Sequence, residues 1–380
     1  MAGSGRVTIA DVARAASVSP TTVSHALNGL GKVDPRTRQR VQDVAAELGY
    51  RPSLRAQRLR RGEARTIGLV SSMPFAVAGG PSRLGFFMEV AAAAAESALL
   101  HGFGLVLVPP LESDPPLDSL DIDGAIVVEP EENDRTTGRL QARGLPVVAL
   151  GRQPEAELAH VDLDAPWVGR LLLRHLHEQG ARHIALLIGN SRRHSYVDME
   201  STYRDFVVRH DMPAVVLRAE EAGGEAAGYS SGMELLSQYP EVDAVCATVD
   251  AFAVGVVRAL RERGCRVPDD VLVATRYDGL RARTCDPPLT AVDLHLDQAA
   301  ASAVELLLER LRGDSSRETI APPEPVLVAR KSSGAGSSGE EQGQSRHERE
   351  GQDDAPHPGT VETVMDIAAQ HSTHHERGQQ

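Results

Sequence analysis

Residues 8–28, TIADVARAASVSPTTVSHALN, constrain what this chain can fold into more than any other stretch. They predict two short helices around a tight turn. Thr8 is placed to cap the first, whose apolar face is Ile9, Val12, Ala13 and Ala16 at helical spacing. The pattern breaks at Ser17-Val18. Ser19 then caps a second helix with Pro20 at its first position, where the missing N–H costs no hydrogen bond. Val23, Ala26 and Leu27 face inward, leaving Pro20, Thr21, Thr22, Ser24 and His25 outward. Short polar side chains of this kind let a helix sit deep in a major groove and meet base edges or phosphates.

Asp34-Pro35 opens a third helix, again a cap followed by proline, and its stripe of Thr37, Val41, Val44, Ala45 and Leu48 packs on the first two before Gly49 ends it. Pro52-Ser53 then starts a segment running to about Arg61 that contains Arg55, Arg58, Arg60 and Arg61. By itself it is too short and too self-repelling to be a stable helix in water. Charge separates this part from the rest. Residues 1–65 hold 12 Lys+Arg against 5 Asp+Glu, a balance of +7, whereas the whole chain is −13, so residues 66–380 carry −20. A basic head on an acidic body is the electrostatic footprint of phosphate binding.

TIADVA, VSPTTVSHALN and GYRPSLRAQRLR, three segments in order at the right spacing, resemble the DNA-binding headpiece of the LacI/GalR family of bacterial repressors. The similarity covers the whole headpiece and, more loosely, residues 66–330. It implies a helix-turn-helix DNA-binding domain over 1–61 with a hinge helix at about 53–61 that folds when two subunits meet on an operator. Leu59 is then the apolar wedge that enters a central minor-groove step and kinks the duplex, at a cost of roughly a few kcal/mol offset by the contacts the bend permits; the plainer reading is a flexible basic linker with Leu59 exposed. The implied DNA contacts are Thr8, Ser19, Pro20, Thr21, Thr22, Ser24, His25 and Asn28 in the head, and Arg55, Ala56, Leu59 and Arg60 at the hinge. Thr21 and His25 are expected at base edges and Thr22, Ser24 and Asn28 nearer the phosphates. Pro20 cannot donate a hydrogen bond and is expected to read shape or a thymine methyl.

The body alternates short apolar runs with longer amphipathic stretches, the sign of βαβ units in parallel sheets. Strands are expected at 66–72, 104–109, 123–129, 145–151, 182–189, 214–219, 244–250, 270–278 and 288–294, and helices at 86–100, 165–179, 199–209, 251–263 and 297–312. Two similar lobes with chain crossings near 160 and 290 would enclose a cleft at the strand ends. The predicted fold class is therefore an all-α helix-turn-helix headpiece, an α/β two-lobed periplasmic-binding-protein-like core over 66–330, and a disordered tail over 331–380 rich in Gly, Ser, Gln and charge. Val361, Val364, Met365 and Ala368 make a stripe of under two heptads, too short for a tetramerising coiled coil, so a homodimer is expected.

Several function classes are disfavoured. MAGSGRV leads into a capped helix without an apolar targeting stretch, and no run approaches the ~20 apolar residues of a bilayer span, so a cytoplasmic protein is expected rather than a solute-binding receptor. Cys246, Cys265 and Cys285 have neither metal-ligand spacing nor a disulfide framework. With no Gly-rich phosphate loop, serine elbow or metal constellation, neither an enzyme nor a cofactor nor a metal is expected. The expected partners are double-stranded operator DNA, a second copy of the chain, and either one small-molecule effector of unknown identity or none.

At the effector cleft the resemblance places Met199 where the family has an arginine, Val249-Asp250 where it has Asn-Asp, and Tyr277-Asp278 where it has Asp-Asp. Phe86-Phe87 matches the start of the first lobe's helix. Methionine and valine cannot give the hydrogen bonds that a hydroxyl-rich ligand needs. The candidate effector site is Phe86, Phe87, Met199, Val249, Asp250, Tyr277 and Asp278, and two readings stay open: a more apolar effector contacting Phe86, Phe87, Met199 and Tyr277, or a degenerate cleft with no physiological ligand. Ordinary inter-lobe packing or capping accounts for each residue taken singly.

Overall fold

The computed structural model describes residues 7–29, 31–50, 63–78, 85–108, 117–153 and 158–334. The hinge segment with Arg55, Ala56, Leu59 and Arg60, and the tail beyond 334, lie outside the described residues.

The head consists of α1 (Ile9–Ala15), α2 (Pro20–Asn28) and α3 (Pro35–Glu47). Three polar caps start them. The Asp11 carboxylate accepts from Thr8 N at 3.0 Å, Ser19 Oγ accepts from Thr22 N at 3.1 Å, and Asp34 accepts from Thr37 N at 3.0 Å. Val12, Ala13, Ala16, Val23, Ala26, Val41 and Ala45 form one small core. Two expectations are corrected here. Ser24 is not outward but 5% exposed, because α1 and α3 both pack on α2 and widen its inner face. Leu48 is 38% exposed rather than packed: the chain folds back with Tyr50 N donating to Ala45 O at 2.8 Å, and Tyr50 covers the core instead.

In the body, β1 (Thr66–Ser71), α4 (Phe75–Ala78), α5 (Phe86–Leu100), β2 (Gly104–Val108), β3 (Gly124–Val128), α6 (Arg135–Ala142), β4 (Val147–Leu150) and β5 (Ala159–Val161) build a first lobe. The chain then crosses to α7 (Ala165–Glu178), β6 (Ile184–Gly189), α8 (His194–Arg209), β7 (Val215–Ala219), α9 (Gly224–Gln238), β8 (Ala244–Ala247), α10 (Asp250–Glu262), β9 (Leu272–Thr275) and α11 (Leu280–Thr284). After β10 (Ala291–Asp293) it returns, so that α12 (Leu296–Leu311) packs on α5 and β11 (Thr319–Ile320) joins the first sheet; β12 (Val326–Val328) pairs antiparallel with β10. The first sheet has the order β11-β5-β4-β3-β1-β2 and the second β7-β6-β8-β9, with every pair parallel.

Parallel strands buried on both faces account for the continuous apolar runs in the sequence. Along the first sheet alternate residues serve two cores: Ile67, Leu69, Ile126 and Val148 join the large one, while Val70, Ala125, Val127 and Val147 meet Leu140 of α6. α4, α6, α9, α11, β5, β11 and β12 had no counterpart among the elements expected from the sequence, and α8 begins at His194 rather than 199. The boundary at 331 is also corrected. Ser332 and Ser333 are fully buried: Ser332 Oγ donates to Val273 O at 2.5 Å, and Ser333 Oγ lies 2.7 Å from His175 Nε2 and 2.5 Å from Thr290 Oγ1. Small hydroxyl side chains fit where a sheet ends and its last carbonyls need donors.

Candidate nucleic-acid interface and inter-lobe cleft

In the head, α2 buries Val23, Ser24 and Ala26 and turns Pro20 and Thr21 to solvent, with Thr22, His25 and Asn28 half-buried. Asn28 donates from Nδ2 to Ser24 O at 2.7 Å, so its amide serves the end of its own helix. Gly29 caps α2 at φ 69°, closing the helix in the left-handed conformation. Gly31 lies beside His25 at φ 66°, a left-handed conformation that favours glycine, and an ideal Cβ there would lie 2.9 Å from His25 Nδ1. Thr8 is exposed at the start of α1, where both its N–H and its hydroxyl donate to Asp11. The result is a short helix edge of Pro20, Thr21 and His25, fixed by caps at both ends.

The cleft lies at the carboxyl ends of the parallel strands, where open α/β sheets place their sites. Of the expected effector residues, Phe86, Val249, Asp250 and Tyr277 line one cavity, with Phe86 and Tyr277 edge-to-face at 5.3 Å. Its volume is about 30 Å³, enough for one or two waters. The other three lie elsewhere. Phe87 is 3% exposed within the main core. Met199 is 1% exposed, its sulfur close to Gly169 of α7, because α8 begins before it and carries it past the cleft. Asp278 lines a separate hollow of about 380 Å³ beside α5 and α12, and it is paired with Arg330 at 2.6 Å and Arg283 at 3.3 Å.

The groups that span the cleft are mostly charged, and apart from Asp250 none of them was among the expected site residues. Glu129, just after β3, accepts from Arg276 Nη2 at 2.5 Å and from Ser195 Oγ at 2.6 Å. Arg193, fully buried, donates to the Glu129 carbonyl, to Glu131 Oε1 at 2.9 Å and to both Glu221 oxygens at 3.1 Å. Arg152, after β4, meets Asp198 of α8 at 2.5 Å. Arg281 donates to Ala76 O at 2.8 Å and meets Asp250 at 3.2 Å. Burial pushes the Glu129 carboxyl up, but Arg276, Ser195 and Arg193 outweigh it and hold the group below the usual carboxylate range. Burial dominates at Asp250 and Glu131, which sit above that range in spite of Arg281 and Arg193. The available signal was a single charged residue ending an apolar strand run: Glu129 after GAIVV and Arg276 after LVAT.

A capped helix-turn-helix head followed by two lobes of parallel sheet defines a DNA-binding regulator of transcription. The sequence profile of "Bacterial regulatory proteins, lacI family" matches residues 8–53, and that of "Periplasmic binding protein-like domain" matches residues 173–333. The HTH-type transcriptional regulator CelR of Thermobifida fusca is 30% identical over 338 residues, 86% of this chain and 98% of the relative. The HTH-type transcriptional repressor PurR of Mannheimia succiniciproducens is 31% identical over 341 residues, with the same coverage. Among solved structures, a CelR–cellobiose complex superposes with a TM-score of 0.64 at 27% identity, covering 86% of this chain and all of that one. The lac repressor dimer bound to operator and the anti-inducer ONPF gives a TM-score of 0.70 at 24% identity, covering 87% and 99%, a likeness of fold. The chain belongs to the lacI family of bacterial regulatory proteins. Its relatives are transcriptional regulators, not enzymes, and among the described residues no helix is long and apolar enough to cross a membrane.

Proposed function

We propose that the protein is a cytoplasmic, homodimeric repressor that binds a near-palindromic operator, each head inserting α2 into the major groove of one half-site. The observation that carries this reading is the outer edge of α2: Pro20, Thr21 and His25 stand over a rigid buried core on the basic end of the chain. Thr21 and His25 meet base edges, Thr22 and Asn28 lie nearer the phosphates, and Pro20 reads shape or a thymine methyl. Ser24, being buried, positions Asn28. Between the heads, the segments around Leu59 pair over a bent centre, with Arg55, Ala56 and Arg60 flanking the wedge. Repression follows because bound protein obstructs polymerase.

The core sets the separation of the hinges through the arrangement of its lobes, so any bias on lobe closure shifts operator affinity. A small molecule entering the cleft would meet Phe86, Val249, Asp250 and Tyr277. Cellobiose, seen with CelR, is not carried over to this chain. A space of about 30 Å³ is about a tenth of the smallest typical ligand pocket.

The test is selection of the preferred duplex from a random pool, then footprinting. A symmetric site protected on two half-turns is expected, with binding that weakens steeply as salt rises. Sequence-indifferent binding, or a single asymmetric footprint, would overturn the proposal.

A further inference from the structure

The cleft is closed by the chain's own groups, and Glu129 is at their centre. This residue leaves β3 at φ 48°, a backbone conformation that side-chain-bearing residues rarely adopt, and it is 3% exposed. It belongs to the first lobe, yet both carboxylate oxygens are taken by the second: Oε1 by Arg276 at 2.5 Å and Oε2 by Ser195 at 2.6 Å. Arg193, from the second lobe, reaches the Glu129 carbonyl, Ser72 Oγ at 3.2 Å and Glu131 at 2.9 Å in the first, while Glu221 holds it from behind. At the other side Arg281 reaches Ala76 of the first lobe.

We propose that Glu129 is a built-in ligand: its carboxylate stands between the lobes where a small molecule would bridge them, so that Arg276 and Ser195 hold the core closed without an effector. A ligand closes a two-lobed core by bonding to both walls, and Glu129 does so from within the chain. Its bonds are charge-assisted and buried, the strong kind. Among the described residues the cavity beside Glu129 is about 30 Å³, whereas a typical ligand pocket is roughly several hundred. Removing one partner leaves the other charge buried without its ion pair, whereas opening the lobes lets water solvate it. Loss of either partner therefore shifts the core towards the open arrangement. The consequence for DNA rests on the preceding proposal that lobe arrangement sets operator affinity; the latch itself does not.

The test compares the full-length protein with Glu129→Gln, Arg276→Gln and the double variant, by amide hydrogen exchange at 73–77 and 193–196 and by the solution radius of gyration. Each single change is expected to speed exchange there at least about tenfold, as for loss of one charge-assisted hydrogen bond, and to expand the molecule. The double variant is expected to exchange no faster than either single one, because the two groups act on each other. Arg266→Ala, which removes an exposed pair with Asp270, should change neither reading. Wild-type exchange and size in a folded single variant, or multiplicative effects in the double, would overturn the latch. If a single variant does not fold, the double variant decides alone: faster exchange upholds the latch and wild-type exchange overturns it. Operator affinity is measured alongside. Altered exchange with unchanged affinity upholds the latch and overturns the coupling; unchanged exchange overturns the latch whatever the affinity does.

Discussion

At the residue scale, His25 and Glu129 show how a side chain gets its role from what surrounds it. The ring of His25 stands half-buried at the edge of α2, beside the space that Gly31 leaves free. His25→Ala is expected to lower discrimination between operator and random DNA by roughly 1–3 kcal/mol, measured by competition titration; an equal loss on every sequence would reassign the residue to the phosphates. Glu129 makes a pH prediction. Its carboxyl is held below the ordinary range, so its contribution to stability is complete above that range and is lost as the pH falls through the folded value. Asp250 and Glu131 are displaced upward and oppose this trend; Ser195, Arg193 and Arg276 face Glu129, Arg281 and Glu225 act on Asp250, and Glu221 and Asp134 act on Glu131. Thermal melts from pH 7 to about pH 4 should show a shallower acid decline in Glu129→Gln than in the parent. Parallel curves would mean that Glu129 is not the group titrating.

At the element scale, α9 and α10 pack backbone to backbone. A Cβ on Gly228 would come within 2.3 Å of Phe252 O, and one on Gly255 within 2.2 Å of Glu225 O. Neither neighbour is a side chain that can swing away. Gly255→Ala should therefore cost about 1–3 kcal/mol or more in chemical denaturation. Gly138, within α6, has nothing within 4 Å, and Gly138→Ala should instead stabilise by about 0.4–1 kcal/mol. The same packing explains why α9 was missed: GEAAGYSSGMELLSQ reads as glycine- and serine-rich loop until its partner helix is known. The early start of α8 has a like cause, since Ser195 and Tyr196 look like loop residues but are buried by bonds to Glu129 and Glu221. For the hinge, Leu59→Ala should weaken operator binding and reduce the bend in a permutation assay with the melting curve unchanged; an undiminished bend would eliminate the wedge.

At the scale of the molecule, charge is divided along the chain, +7 in residues 1–65 and −20 beyond. The head supplies attraction to phosphates and the body repulsion, so binding should depend steeply on ionic strength. Operator affinity is expected to fall by about 10³-fold or more between 50 and 200 mM salt in fluorescence titrations. A loss below about tenfold would mean that few phosphates are contacted.

The head and the alternation of the body are legible from the residues alone, because both are local. Caps, prolines and helical spacing act within a few residues, and apolar runs record strands buried on both faces. Crossings near 160 and 290 could be placed from where those runs sit. Tertiary structure alone decided the rest: that Ser24 turns inward, that Met199 passes the cleft, that Ser332 and Ser333 end the core, and that Glu129 meets Arg276, 147 positions away. A charged residue at a strand end has no partner legible in its own neighbourhood. Which charge it meets depends on how the carboxyl ends of two sheets are brought together, and only there does burial make the pair matter.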